Sequence, residues 1–159
     1  RYPLGGNRGF AAMHRASRYG HVPDYVARAS EGLFLIGQVE TPHALTQVAE
    51  IAAVDGLDAV FFGPGDLSAN MGYVGQPAHP EVSGLIVDAM TKVREAGKYA
   101  GVLAPNPEQA ARYIDAGFDF VSVASDCSLL FSSANRIAGD FAARAAARRT
   151  ADIKVGETP

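Results

Sequence analysis

The run "VFFGPGDLSANMG", residues 60–72, decides how this chain folds. Val60, Phe61 and Phe62 lead straight into Gly63-Pro64-Gly65, and a carboxylate, Asp66, stands at the first position beyond. In one reading the glycine-proline turn ends a buried strand and opens a helix, with Asp66 or Ser68 as the capping side chain. In the other, the same turn delivers a carboxylate to the end of a strand for chemistry.

Three further runs share the apolar character of 59–63: "LFLIGQVE" at 33–40, "YAGVLA" at 99–104 and "FVSVAS" at 120–125. All four are apolar at successive positions, as parallel strands covered by helices are. Helical patterns lie between them. Thr41-Pro42 and Asn106-Pro107 each offer a capping side chain followed by proline at the first helical position, and Gly56, Gly97 and Gly117 stand where helices should stop. Val82, Ile86, Ala89, Val93 and Ala96 follow helical spacing, as do Leu130, Ala134, Ile137, Phe141 and Ala145, and both sets read as core stripes. "GLDAVFFGPGD" at 56–66 is echoed by "GFDFVSVASD" at 117–126, which suggests a repeated strand-helix unit.

Such units build either a (β/α)8 barrel or an open doubly wound sheet. A barrel of that type needs eight strands and usually about 250 residues. Four strands therefore predict half of a barrel or a small open sheet. We read residues 1–159 as one domain, with 1–32 a connecting and helical segment, 33–148 the strand-helix units and 149–159 a flexible tail. Within the first segment "PDYVARAS" at 23–30 predicts a short helix. Its arginines, Arg1, Arg8, Arg15, Arg18 and Arg28, read as a solvated or interface-forming face rather than an anion-binding arm.

Composition narrows the partners. At 48% hydrophobic residues a 159-residue chain can bury a core, and a net charge of −3 gives no reason to expect nucleic acid or an anionic membrane. Small molecules or other proteins are the expected partners. The single cysteine, Cys127, excludes an internal disulfide and is expected to be a small buried hydrophobe in a cytoplasmic protein. No apolar run approaches a membrane span of about 20 residues, and no signal-peptide pattern opens the chain. The first residue is Arg1, so the expectation is a processed product or a fragment. His14 and His21 lack metal-ligand or triad spacing, and His43 and His79 stand beside Pro42 and Pro80 at helix starts, where a structural role is expected.

Two strands end alike: "LIGQVE" delivers Glu40 and "VFFGPGD" delivers Asp66, each beyond its carboxyl end, where active sites of α/β proteins assemble. If the strands are neighbours, the two carboxylates approach closely and repel unless a proton or cation lies between them. A hard divalent cation such as Mg²⁺ suits the pair, because it takes oxygen ligands and keeps other positions for water or substrate. Gln38 falls on the same strand face as Glu40. Without side chains at two positions of Gly63-Pro64-Gly65, the backbone N–H groups of Gly65 and Asp66 are approachable by an anion such as a carboxylate.

"GQVET" at 37–41, the long run "AVDGLDAVFFGPGDLSANMGYVGQPAHPEV" at 53–82, "AGKYAGVLA" at 96–104 and "FVSVASD" at 120–126 together resemble the HpcH/HpaI family of metal-dependent, pyruvate-specific class II aldolases. "RYPLGGNRG" at 1–9, "RASRYGHVPDY" at 15–25 and "SLL" at 128–130 extend the similarity over nearly the whole chain. The resemblance implies a (β/α)8 barrel of which this chain supplies about the last four units. It implies that Glu40 and Asp66 bind Mg²⁺, Mn²⁺ or Co²⁺, that Gln38 supports the metal site, and that the backbone around Gly65 and Asp66 holds the pyruvate carboxylate. By matching position Phe61 and Leu103 would line the pocket for the aldehyde portion. The implied reaction is cleavage of 4-hydroxy-2-oxo acids to pyruvate and an aldehyde, with the reverse addition. The family's catalytic histidine, its partner aspartate and its substrate-binding arginine would lie before residue 1, so no catalytic residue is assigned here. A homo-oligomer is implied, in which the Leu130–Ala145 stripe packs on a neighbouring subunit. A citrate-lyase-β-like acyl-CoA lyase and a non-catalytic half barrel that works only by assembly are the alternative readings.

Overall fold

In the computed structural model, which describes residues 2–3 and 5–155, four parallel strands form one sheet: β1 (Ile36–Val39), β2 (Ala59–Phe62), β3 (Tyr99–Leu103) and β4 (Phe120–Ser122). Their spatial order is their sequence order, β1-β2-β3-β4. In register, Val39 pairs with Phe62, Phe62 with Val102, and Val102 with Val121. The helices are α1 (Tyr25–Arg28), α2 (Pro42–Thr46), α3 (Val48–Ala52), α4 (Pro64–Asn70), α5 (Pro80–Glu95), α6 (Pro107–Ala116) and α7 (Asp126–Val155).

The echo between 56–66 and 117–126 marks a recurring way of entering the sheet. Gly56 and Gly117 take positive φ (83° and 100°), which glycine alone does without steric cost, and the next residue, Leu57 or Phe118, is buried. The aspartate that follows pins the preceding strand: Asp58 Oδ2 accepts from Leu35 N at 2.6 Å, and Asp119 Oδ2 accepts from Ala100 N at 2.8 Å. Each pins a backbone donor at the start of a neighbouring strand, so the repeated Gly-apolar-Asp triplet sets register. Asparagine and threonine caps start two helices as expected. Thr41 Oγ1 accepts from Ala44 N at 3.1 Å and Asn106 Oδ1 from Gln109 N at 2.8 Å, each worth about 1 kcal/mol.

One sheet face carries the core. Val39, Val60, Phe62, Ala100 and Val102 are buried there together with Val82, Ile86, Ala89 and Val93 of α5, Val48 of α3, Leu67 of α4 and Tyr113 of α6. Burying a side chain such as Phe62 contributes about 2–3 kcal/mol, and α5 gives the core the stripe its spacing predicts from Val82 to Val93, while Ala96, expected to continue it, caps the helix and is exposed.

The other face differs from expectation. Buried strands on both sides were anticipated, but Gln38, Tyr99 and Leu103 are exposed, and so are Leu33, Phe34 and Leu35, which precede β1 and lie outside it. Among the described residues no helix covers that front face, so most of its apolar side chains keep contact with solvent. The helix expected over 41–56 is two, α2 and α3, broken at Gln47, whose φ/ψ of −100°/8° is not helical. The Leu130–Ala145 stripe is not core: Leu130, Phe131 and Phe141 are 74%, 68% and 67% exposed, since none of the described elements covers that face of α7. Cys127, expected to be buried, is exposed in the first turn of α7. Helix α7 continues to Val155, into the stretch read as a tail, and residues 156–159, Arg1 and Leu4 lie outside the described residues.

Candidate functional site

The carboxyl ends of β1 and β2 come together because the strands pair directly. Glu40 is the first residue beyond Val39, and Gly63, the first beyond Phe62, stands opposite it, with Gly63 N donating to Val39 O at 3.2 Å. Gly63 is the N-cap of α4 and supplies no side-chain cap, so neither Asp66 nor Ser68 has the capping role open to it in the turn reading. Asp66 lies in the first turn of α4 and is exposed, while Ser68 is buried with its hydroxyl donating to Gly65 O at 2.8 Å. Proline at the first helical position costs no hydrogen bond there, which lets the helix start abruptly at the strand end.

Gln38 and Glu40 share the front face as their spacing requires, and Gln38 Nε2 donates to Glu40 Oε1 at 2.6 Å. That bond orients the carboxylate through one of its two oxygens. Asn70, absent from the sequence reading, joins the two acidic residues through their backbone: its Nδ2 donates to Asp66 O at 2.9 Å and more weakly to Glu40 O at 3.4 Å. The signal for it was the four-residue spacing from Asp66, one helical turn.

Gly63, read from the sequence as part of the turn that admits an anion, has a second role beside Glu40. A Cβ there would stand 2.7 Å from Glu40 Oε1 and 2.9 Å from Glu40 Cγ, so the glycine is what lets the Glu40 side chain lie across the end of β2. Gly65, given the close-approach role from sequence, has no protein atom within 4 Å of such a Cβ. The space beside it is open, which suits a ligand and imposes nothing on the fold.

The donor set gathered here is oxygen from Glu40 and Asp66, with Gln38 alongside. Among the described residues, no group of three or more His, Cys, Asp or Glu side chains is placed to hold a metal. A cation at this strand end would thus rest on two protein carboxylates and complete its shell with water or substrate oxygens, as Mg²⁺ commonly does. Phe61 lies half-buried on the front face beside Gln38, and Leu103, 41% exposed, projects at the end of β3. A concavity of about 740 Å³ lies elsewhere, among Tyr2, Phe10, Ser17 and Tyr25 of the first segment, and contains none of these groups.

Beyond α4 the chain is held by aromatic and polar contacts. Tyr73 stacks on His79 with centroids 3.7 Å apart, Tyr73 N donates to Ser68 O at 2.8 Å, and its hydroxyl donates to Glu81 at 2.5 Å. The hydrogen bond to Glu81, then burial and the Glu81 charge, hold the Tyr73 hydroxyl above the ordinary tyrosine range. Of the histidines, His79 is stacked on Tyr73 and His14 packs edge-on against Tyr25.

The fold defines the class: a parallel α/β sheet with Glu40 and Asp66 beyond the ends of adjoining strands, the edge at which α/β proteins assemble their sites. The chain belongs to the HpcH/HpaI aldolase/citrate lyase family, whose model matches residues 2–133. It is 44% identical over 137 residues to 2-dehydro-3,6-dideoxy-6-sulfogluconate aldolase of Pseudomonas putida, covering 86% of this chain and 54% of that protein. It is 45% identical over 148 residues to 4-hydroxy-2-oxo-heptane-1,7-dioate aldolase of Shigella sonnei, covering 92% and 56%. The crystal structure of an HpcH/HpaI aldolase/citrate lyase family protein from Burkholderia cenocepacia J2315 superposes with a TM-score of 0.80 at 32% identity, over 89% of this chain and 56% of that one. The chain spans about half the length of the curated relatives it matches.

Proposed function

We propose that this chain is the metal-binding portion of a class II aldolase that cleaves 4-hydroxy-2-oxo acids to pyruvate and an aldehyde and runs the reverse addition. The observation that carries the reading is the pairing of β1 with β2, which sets Gln38-oriented Glu40 beside the turn that bears Asp66. The names of the Pseudomonas putida and Shigella sonnei relatives support the reaction class. Their unmatched length, with the open front face of this sheet, supports a (β/α)8 barrel to which these strands contribute four.

In this reading Glu40 and Asp66 hold a divalent cation, Mg²⁺, Mn²⁺ or Co²⁺, which when bound polarises the 2-oxo oxygen of the substrate. Gln38 fixes the Glu40 carboxylate through its amide, so that no reorientation is needed as substrate arrives. The open space at Gly65 admits the substrate carboxylate to the backbone N–H groups of Gly65 and Asp66, and Phe61 with Leu103 give the aldehyde portion an apolar wall. Removal of the 4-hydroxyl proton falls to a group outside this chain. Pyruvate and the aldehyde are its small-molecule partners, and the exposed stripe of α7 serves a homo-oligomer.

The test is coupled detection of pyruvate release from a panel of 4-hydroxy-2-oxo acids, using this chain joined to the portion of its relatives that it does not span. Metal-dependent release is the expected result. Cleavage of acyl-CoA thioesters with no release from any 4-hydroxy-2-oxo acid overturns it.

A further inference from the structure

The middle of β3 has no room for a side chain. A Cβ on Gly101 would stand 2.1 Å from Cε2 and 2.2 Å from Cζ of Phe120, far inside any contact that atoms tolerate. The Phe120 ring leans out of β4, crosses β3 over this vacancy and stacks on Phe61 of β2, with centroids 5.7 Å apart and planes inclined by 24°. Adjacent strands are about 4.8 Å apart, so two rings span the distance from β2 to β4 only because the residue between them is glycine. The register sets Gln38, Phe61, Gly101 and Phe120 in a single row across the sheet.

That row lies on the front face, away from the core. Val60, Phe62, Ala100 and Val102 point the other way and are buried against the helices. Phe61 and Phe120 are each half-buried, and their neighbour in the row is Gln38, which orients Glu40. The ring pair lies on the face that the helices leave open, beside the side-chain amide that bonds the Glu40 carboxylate.

We infer that Phe120 is a specificity-determining residue: by stacking on Phe61 through the vacancy at Gly101, it fixes the Phe61 ring and limits how long a 2-oxo acid the site accepts beside Gln38. The inference rests on the proposed aldolase reading for the class of ligand. One missing methylene in an apolar pocket changes discrimination by roughly 10-fold or more, so loss of a whole ring is readily measured.

The experiment is calorimetric binding of linear 2-oxo acids, from pyruvate to 2-oxoheptanoate, to the Mn²⁺-loaded protein comprising this chain and the remaining portion of its relatives. In Phe120→Ala the affinity for the longer acids relative to pyruvate is expected to rise by about 10-fold or more, with Mn²⁺ affinity unchanged. Gly101→Ala, which drives the ring off β3, is expected to alter the same ratio, and Phe120→Tyr to restore it. If Phe120→Ala does not fold, Phe120→Leu provides the comparison. A length preference that is the same in every variant, with only thermal stability lowered, overturns the inference and leaves Phe120 as packing. Binding needs no turnover, so a protein that releases no pyruvate would sink the aldolase reading while the length comparison still decides the role of Phe120.

Discussion

The Glu40 carboxylate lies where a side chain on residue 63 would have to be: a Cβ at Gly63 would approach Oε1 to 2.7 Å. Strand pairing forces this, since Val39 pairs with Phe62 and the next residue of each strand meets the other. Gly63→Ala should therefore displace Glu40 and weaken Mn²⁺ binding by about 10-fold or more, the range typical of groups that orient a ligand. Gly65→Val, which meets no protein atom within 4 Å at its Cβ, should spare Mn²⁺ binding and instead raise the inhibition constant of pyruvate. Titration with Mn²⁺ and competition by pyruvate separate the two; equal losses in both variants would mean that the loop had only misfolded.

Replacing the ligands themselves has a larger expected effect. Asp66→Asn and Glu40→Gln each remove an anionic donor from a site that has two, and each should abolish measurable Mn²⁺ binding at concentrations that saturate the parent. Asn70→Ala removes donors to the Asp66 and Glu40 carbonyls, one of them at a long 3.4 Å, and should cost about 10-fold in Mn²⁺ affinity. Unchanged affinity in Asp66→Asn and Glu40→Gln would place the cation elsewhere.

Strands, caps and helix stops were legible in the sequence because each rests on local chemistry. Thr41 and Asn106 cap, Gly56 and Gly117 turn, and Val82 to Val93 bury one stripe. The contact of Gln38 with Glu40 was legible too, since strand period puts both on one face, and strand order sets Glu40 beside the turn that bears Asp66. What escaped was pairwise and non-local. Gly63 and Gly101 look like any strand-end or strand glycine until the partner across the sheet, Glu40 or Phe120, is known. The α7 stripe misled for the opposite reason: helical spacing records that a face is covered, and says nothing of whether the same chain covers it. Cys127 followed the general burial tendency of cysteine and was wrong because that tendency is blind to position.

Tyr73 ties stability to pH. The fold favours its protonated hydroxyl, which donates to Glu81, so the Tyr73 pKa in the native protein lies above its ordinary value near 10. The stabilisation is fully present below that ordinary value and is lost as pH rises through the higher native one. The difference in melting temperature between the parent and Tyr73→Phe should thus be constant up to about pH 9 and shrink at more alkaline pH. A difference that stays constant through the alkaline range would show that the Glu81 contact does not govern the tyrosine.

The last prediction concerns turnover by these 159 residues alone. Cleaving a 4-hydroxy-2-oxo acid requires a group that takes the hydroxyl proton, and a positioned base contributes about 10²–10⁴-fold to such a step. Glu40 is committed to Gln38 and to the proposed cation, and His79 is stacked on Tyr73. The front face that carries Gln38 and Phe61 is open, so water would reach any substrate held there and compete for each polar contact. We expect the chain by itself to bind Mn²⁺ weakly and to release no pyruvate. Adding the amino-terminal part of a relative, either joined to it or as a separate fragment, should restore release, and the restored rate should fall to background in Asp66→Asn. Release at the full rate from a monodisperse preparation of this chain alone would show that the base lies among its own residues, with His43, two positions beyond Thr41, the first to replace with glutamine.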